Sequence, residues 1–210
     1  MKYQLEVNQW VQLQTDFVIG RFKHLRIKFD INRIYFIYIV KGELQLSNFS
    51  SPLSSGHFII LSSDQTVLSQ PGDYIIFQLP INSLVSAIPS ILNLNLSKYT
   101  NKWIAGYGDQ IIKTTNFSMA YVVFDNQDEF NTQLLPREIY HKHTIGIEYY
   151  LVLTGTNQVR IEDSTIELSS FEVLEIPTGL CHKWVNATFP QKGLNFRFPS
   201  IDGDKEHCQS

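Results

Sequence analysis

Basic residues are not in excess in this chain. Its 17 Lys and Arg stand against 20 Asp and Glu, a formal charge of −3. It therefore lacks the basic stripe with which a protein displaces counterions from nucleic acid, and no helix-turn-helix pattern is present. No apolar run approaches the roughly 20 residues of a membrane span. The opening MKYQLEVNQWVQLQ has no apolar core of signal-peptide length. A cytoplasmic protein without nucleic-acid or membrane partners is expected. Cysteine is scarce: Cys181 and Cys208 do not make a disulfide framework, and Cys181 reads as a small packing residue. Long apolar stripes of helical period are also missing, which removes helical bundles from consideration.

What the chain has instead is 43% hydrophobic and 13% aromatic residues over 210 positions. That is enough to bury the core of one large domain or two small ones. Short runs rich in β-branched and aromatic residues recur: RIYFIYIV (33–40), HFIILS (57–62), DYIIFQL (73–79), MAYVVF (119–124), EYYLVL (148–153), NQVRIE (157–162), EVLEI (172–176) and LNFRF (194–198). Gly, Asn, Ser and Pro punctuate them at the spacing of an all-β sandwich or barrel. The stretch 83–103 reads differently, its first half as a short helix or irregular crossover, and divides the chain near residue 100. The polar C-terminus, SIDGDKEHCQS, reads as mobile.

A weak internal repeat supports that division. A shift of 113 residues lays Tyr35–Gly42 over Glu148–Gly155. A hydrophobic strand, a Ser-rich turn (Ser54-Ser55, Ser169-Ser170) and another apolar run follow in both copies. One supersecondary unit used twice is the economical reading.

Histidine carries the chemistry. Among six histidines, His141 and His143 are two apart and share one face of an extended strand. Glu148 has the wrong parity for an uninterrupted strand, so Thr144–Ile147 must turn, with Gly146 the tolerant residue. His182 follows a Pro–Gly turn, PTGLCH. Three imidazoles and one carboxylate suit a first-row divalent metal and leave coordination positions open. A lone histidine is more often a hydrogen-bonded core residue, and His24, His57 and His207 are assigned no role.

These residues resemble the two motifs of the cupin family. His141, His143, Glu148 and Gly155 form H-x-H-x4-E-x6-G, and Pro177, Gly179, His182 and Asn186 form P-x-G-x2-H-x3-N. Fifteen residues separate Gly155 from Phe171, the short spacing of bacterial cupins. The glycine that opens each motif is replaced here by Leu135 and Phe171, which bears on loop shape and not on coordination. The resemblance covers about residues 115–198. It implies an all-β fold of tandem cupin barrels (double-stranded β-helix or jelly roll). Residues 101–210 would form the metal-binding domain, and residues 1–100 a degenerate one. Under the shift, Lys28, Asp30 and Tyr35 occupy ligand positions and the last falls near Val67, a set that holds no metal.

The resemblance further implies one divalent ion (Fe, Mn, Zn or Ni) held by His141, His143, Glu148 and His182. Its first functional implication is an Fe(II) or Mn(II) oxidoreductase of the dioxygenase type acting on a small molecule. The alternatives are a non-redox isomerase, epimerase or lyase, and a small-molecule-binding sensory protein. Glu148 and Tyr150 are the candidate catalytic residues. Tyr150 shares the face of Glu148, and Trp184 that of His182, which makes both candidate substrate contacts. On 194–198 parity leaves two choices: inward Arg197 with Asn195 for an anionic substrate, or inward Phe196 with Phe198 for an aromatic one. Exposed barrel edges make a homodimer an expectation.

Overall fold

A computed structural model gives the fold; it describes every residue except 15, 26–29, 31, 47–50, 62–66, 69–70, 81–90, 107–109, 115 and 210. The chain divides into two compact units, Leu5–Tyr99, and Met1–Gln4 together with Thr100–Ser210. Strand β1 (Lys2–Gln4) belongs to the latter. The Leu5–Tyr99 unit contains β2 (Gln9–Gln14), β3 (Phe17–His24), β4 (Arg33–Leu46), β5 (Leu53–Ser54), β6 (His57–Leu61), β7 (Val67–Leu68), β8 (Pro71–Pro80) and β9 (Ile91–Asn95). The other unit continues with β10 (Lys102–Gly106), β11 (Ile112–Lys113), β12 (Ser118–Phe124) and β13 (His141–His143). Then come β14 (Ile147–Ile161), β15 (Ser164–Leu168), β16 (Glu172–Ile176), β17 (His182–Phe198) and β18 (Lys205–His207). One helical turn, Gln127–Glu129, continues as a π turn over Phe130–Leu134. It starts where Asn126 Oδ1 accepts the Glu129 N–H at 2.9 Å, and it buries Phe130 against Phe124.

The strands carry the expected β-branched and aromatic runs, and several, β4, β8, β14 and β17 among them, extend beyond those runs. EYYLVL and NQVRIE are one strand, β14, which bends through register shifts near Thr154 instead of breaking. Gly155 sits at that bend with φ 78°, a conformation that costs an L side chain energy. The equivalent bend in β4 has Gly42 at φ 92°. Within its own unit each glycine carbonyl accepts a serine hydroxyl, Ser55 for Gly42 at 3.4 Å and Ser170 for Gly155 at 3.3 Å. In each unit the bent strand lies between two antiparallel neighbours, β6 and β8 for β4, β16 and β17 for β14. The repeated sequence stretches thus take up the same local arrangement twice. Phe171, which replaces a motif glycine, keeps the left-handed backbone at φ 66°; Leu135 lies instead at φ −52° as the π turn ends.

Alternation along β14 and β17 sorts their side chains onto two faces. Tyr150, Val152, Val159, Leu174, Ile176, Trp184 and Ala187 form one core cluster with Ala120, Val122 and Phe124 of β12. Tyr149 and Phe196 point the other way and stack at 5.2 Å.

The first half of 83–103, read as a helix or crossover, lies outside the described residues up to 90, and its end enters a strand, β9, paired with β6. Two expectations are corrected. The C-terminus is ordered: β18 pairs with β13 along His141–His143, which gives partners to backbone groups on that edge of β13. Cys181 is not a free packing residue. It forms a disulfide with Cys208, so neither sulfur is a free thiolate for metal.

Gly155→Ala is expected to destabilise this unit. A Cβ there would lie 2.5 Å from the Thr188 carbonyl and 2.7 Å from that of Pro190, at a positive φ. A loss of about 2 kcal/mol or more in urea unfolding is expected; an unchanged midpoint would show that the bend does not need glycine.

Candidate metal centre

Three strands deliver the cluster. On β13 the burial alternates, with His141 and His143 buried and Lys142 half-exposed, so both rings point inward as the spacing requires. The chain then turns through Thr144–Gly146. Glycine is needed there for space: a Cβ on Gly146 would stand 2.4 Å from the Pro199 carbonyl. The turn returns Glu148 on β14, and His182 opens β17 opposite His141.

Glu148 Oε2 lies 2.7 Å from His182 Nε2, 3.1 Å from His143 Nε2 and 3.5 Å from His141 Nε2. All four residues are buried, and their ligand atoms lie within 4.8 Å of one another. Donor atoms about 2.1 Å from one ion stand about 3 Å apart when adjacent, so these separations fit a single divalent cation. The ring orientations fit too. His141 Nδ1 donates to the Ile139 carbonyl at 2.7 Å and His182 Nδ1 to that of Leu180 at 2.9 Å. A carbonyl only accepts, so each Nε2 is left for the cluster.

The electrostatics favour a cation. Burial opposes ionisation of Glu148, but hydrogen bonds from the three imidazoles outweigh it and hold the carboxyl well below its ordinary value. Burial, then the charges of Glu148 and Glu138, push the Tyr150 hydroxyl well above 10. Tyr150 is therefore a proton donor at neutral pH and not a base.

The cluster opens on a cavity of about 490 Å³ whose wall includes His141, His143, Glu148, Tyr150 and Arg197. Arg197 stands directly across from Glu148 in the β14–β17 register, so the two share a face. Its Nε donates to Ser118 Oγ at 3.3 Å, and its guanidinium lies 5.1 Å over the Trp103 ring. Phe196, the alternative inward residue, packs on Tyr149 on the opposite face and does not line this cavity. Trp184 does not line it either: it is buried in the core, edge-on to Tyr150 at 5.4 Å.

Two wall residues escaped the sequence reading, Glu138 and Asp204. Burial, then the charge of Glu148, raise Glu138 against the pull of the Trp184 N–H, which its Oε1 accepts at 3.2 Å. Neither residue belongs to a motif, and no spacing singles it out. In the other unit Tyr35 is buried, its hydroxyl accepting the Asp30 N–H at 2.9 Å. Asp30 is exposed, Lys28 lies outside the described residues, and Val67 lies in β7. Among the described residues His141, His143, Glu148 and His182 are the one such cluster.

No family model and no curated protein match the chain. Solved structures do. Protein Ylba of E. coli is similar with a TM-score of 0.61 at 12% identity, over 90% of this chain and 79% of that one. A cupin 2 conserved barrel domain protein of Leptotrichia buccalis reaches 0.57 at 14%, over 90% and 87%. A mutant of Bacillus subtilis oxalate decarboxylase reaches 0.58 at 10%, over 99% and 79%. At these identities the likeness shows the fold alone, an all-β jelly roll similar to those structures. The chain carries a buried three-histidine, one-glutamate cluster suited to one metal ion. No helix is long and apolar enough to cross a membrane, among the described residues.

His143→Ala should abolish stoichiometric metal binding and leave the far-UV circular dichroism intact, whereas Asp30→Ala should leave metal content at about one ion per chain. Elemental analysis of the purified proteins decides; metal retained by the His143 variant would exclude this cluster. A pH dependence follows from His182. Burial pushes its pKa down, but the hydrogen bond and charge of Glu148 more than compensate and leave it above 6.5. A cation must displace that proton, so affinity should fall as pH drops from 8 through neutrality. Equal zinc affinities at pH 8 and pH 6 would argue against imidazole ligation.

Proposed function

We propose that the protein is a metal-dependent enzyme acting on a small anionic molecule, with dioxygenase-type chemistry at Fe(II) or Mn(II) as the leading reaction. The observation that carries this reading is the placement of Arg197. Its guanidinium lies on the cavity wall 3.4 Å from the His143 ring. Among the described residues it has no carboxylate partner within salt-bridge distance. A charged donor fork beside an open metal centre suits a carboxylate or similar anion.

A divalent ion at His141, His143, Glu148 and His182 supplies Lewis acidity and, if redox-active, dioxygen chemistry. The chain's own residues do the rest. Arg197 binds and orients the anionic group, and Tyr150 donates a hydrogen bond from a hydroxyl that stays protonated. Ala120, Val122 and Phe124 supply an apolar wall that limits water. A second reading, isomerase or lyase chemistry without oxygen, is favoured by Glu138. A cavity carboxyl with a raised pKa can pass a proton to and from substrate.

The Leu5–Tyr99 unit is read as a cupin-like sheet that has lost its ligands, as Tyr35 in the glutamate position indicates. The Cys181–Cys208 bond is of the kind that oxidising compartments preserve, and it counts against the cytoplasmic location expected from the sequence.

Oxygen uptake by iron- or manganese-loaded protein, screened with small mono- and dicarboxylates, tests the proposal. Uptake coupled to product supports the oxidative reading, and turnover that persists without oxygen transfers it to the second. Arg197→Gln should lower kcat/KM roughly 10- to 100-fold, as expected for losing a charged hydrogen bond of about 1.5–3 kcal/mol. An unaffected variant would remove the anionic substrate from the proposal.

A further inference from the structure

The three imidazoles are not held alike. His141 and His182 each donate Nδ1–H to the carbonyl two residues upstream. His143 Nδ1 instead faces two side chains, Arg197 Nη1 at 3.4 Å, within hydrogen-bond reach, and Asp204 Oδ2 at 3.6 Å, an ion-pair distance just beyond it. These two neighbours demand opposite tautomers. A guanidinium only donates; bonded to Nδ1, it would leave the ring proton on Nε2, pointing at Glu148 where a metal must bind. A carboxylate only accepts, which puts the proton on Nδ1 and frees the Nε2 lone pair.

Asp204 is built into place. It is 3% exposed. Its Oδ1 accepts from Thr144 N at 2.8 Å, Thr144 Oγ1 at 2.8 Å and Ile145 N at 2.6 Å, and its Oδ2 from Gly146 N at 2.8 Å. It thereby grips the turn that joins His143 to Glu148. The segment that carries it is anchored beyond: β18 pairs with β13 residue for residue. Cys208 N donates to the Tyr140 carbonyl at 2.9 Å, and Cys208 is bonded to Cys181, the neighbour of His182. The C-terminal segment therefore touches the chain beside every ligand-bearing strand.

We infer that Asp204 is a positioning residue of the metal centre, which selects the Nδ1–H tautomer of His143 and sets the His143–Glu148 turn. The inference rests on the metal reading above. Carboxylates that orient metal-bound histidines typically contribute 10- to 100-fold to affinity, and the same range is expected here.

The test measures zinc affinity by competition with a chelating indicator, together with ¹⁵N NMR of histidine-labelled, zinc-loaded protein. Wild type is compared with Asp204→Asn, with Thr144→Ala and with His143→Ala. Thr144→Ala removes one bond to the same carboxylate without altering what faces the ring, so it reports the structural share alone. Asp204→Asn should weaken zinc about 10- to 100-fold and shift the His143 ring nitrogen signals, with Thr144→Ala within about threefold of wild type. Equal losses in the two variants, or wild-type affinity and spectra in Asp204→Asn, would overturn the inference and leave the metal reading standing. Zinc binding by wild type no tighter than by His143→Ala would overturn the metal reading, and this inference with it.

Discussion

A single carboxylate oxygen holds the site together. Glu148 Oε2 lies within 3.5 Å of all three imidazole Nε2 atoms, in a barrel interior where an isolated charge would cost several kcal/mol. Only a counter-charge, shared protons or a cation, makes that burial tolerable. The surrounding structure follows from this constraint. β14 must place Glu148 inward, the Thr144–Gly146 turn must bring it back onto the faces of His141 and His143, and β17 must open with His182 opposite. The ring orientations fixed by the Ile139 and Leu180 carbonyls direct the remaining lone pairs to one point.

The same inward parity that buries Glu148 also exposes Arg197 and Tyr150 to the cavity and turns Tyr149 and Phe196 to the opposite face. The site is therefore asymmetric: apolar on the side of Val122 and Phe124, cationic beside His143, acidic at Glu138. On the function proposed above, such an arrangement would take an anion with its charge toward Arg197 and its reacting atoms over the cluster. The Leu5–Tyr99 unit shows the contrast within one chain. It repeats the bent strand, the positive-φ glycine and the serine bond, yet places Tyr35 where Glu148 would stand. The supersecondary unit is evidently independent of the ligands, because its bend and pairing depend on backbone geometry and apolar burial alone.

Much of this was legible beforehand. The all-β class follows from alternating β-branched and aromatic runs, and the convergence of His141, His143, Glu148 and His182 from two short motifs. Each motif lies within one or two adjacent strands, where spacing translates directly into side-chain direction. Legibility ended where long-range partners decide. Parity within 194–198 could not choose between Arg197 and Phe196, since the choice depends on the pairing of a 17-residue strand with a partner that shifts register at its bends. The C-terminus was misread because polarity resembles mobility unless its pairing partner is known.

The sequence by itself determined the strand-rich fold, the shared face of His141 and His143 and the glycines at which strands bend, because these rest on local periodicity and steric rules; that His182 meets them was implied by the resemblance to the cupin motifs. Tertiary structure alone decided that Arg197 faces the cavity, that Glu138 and Asp204 join its wall, and that Cys181 reaches Cys208 with Cα atoms 6.1 Å apart. Those contacts join residues 27 to 79 positions apart, and local periodicity does not reach across such distances until the barrel has closed.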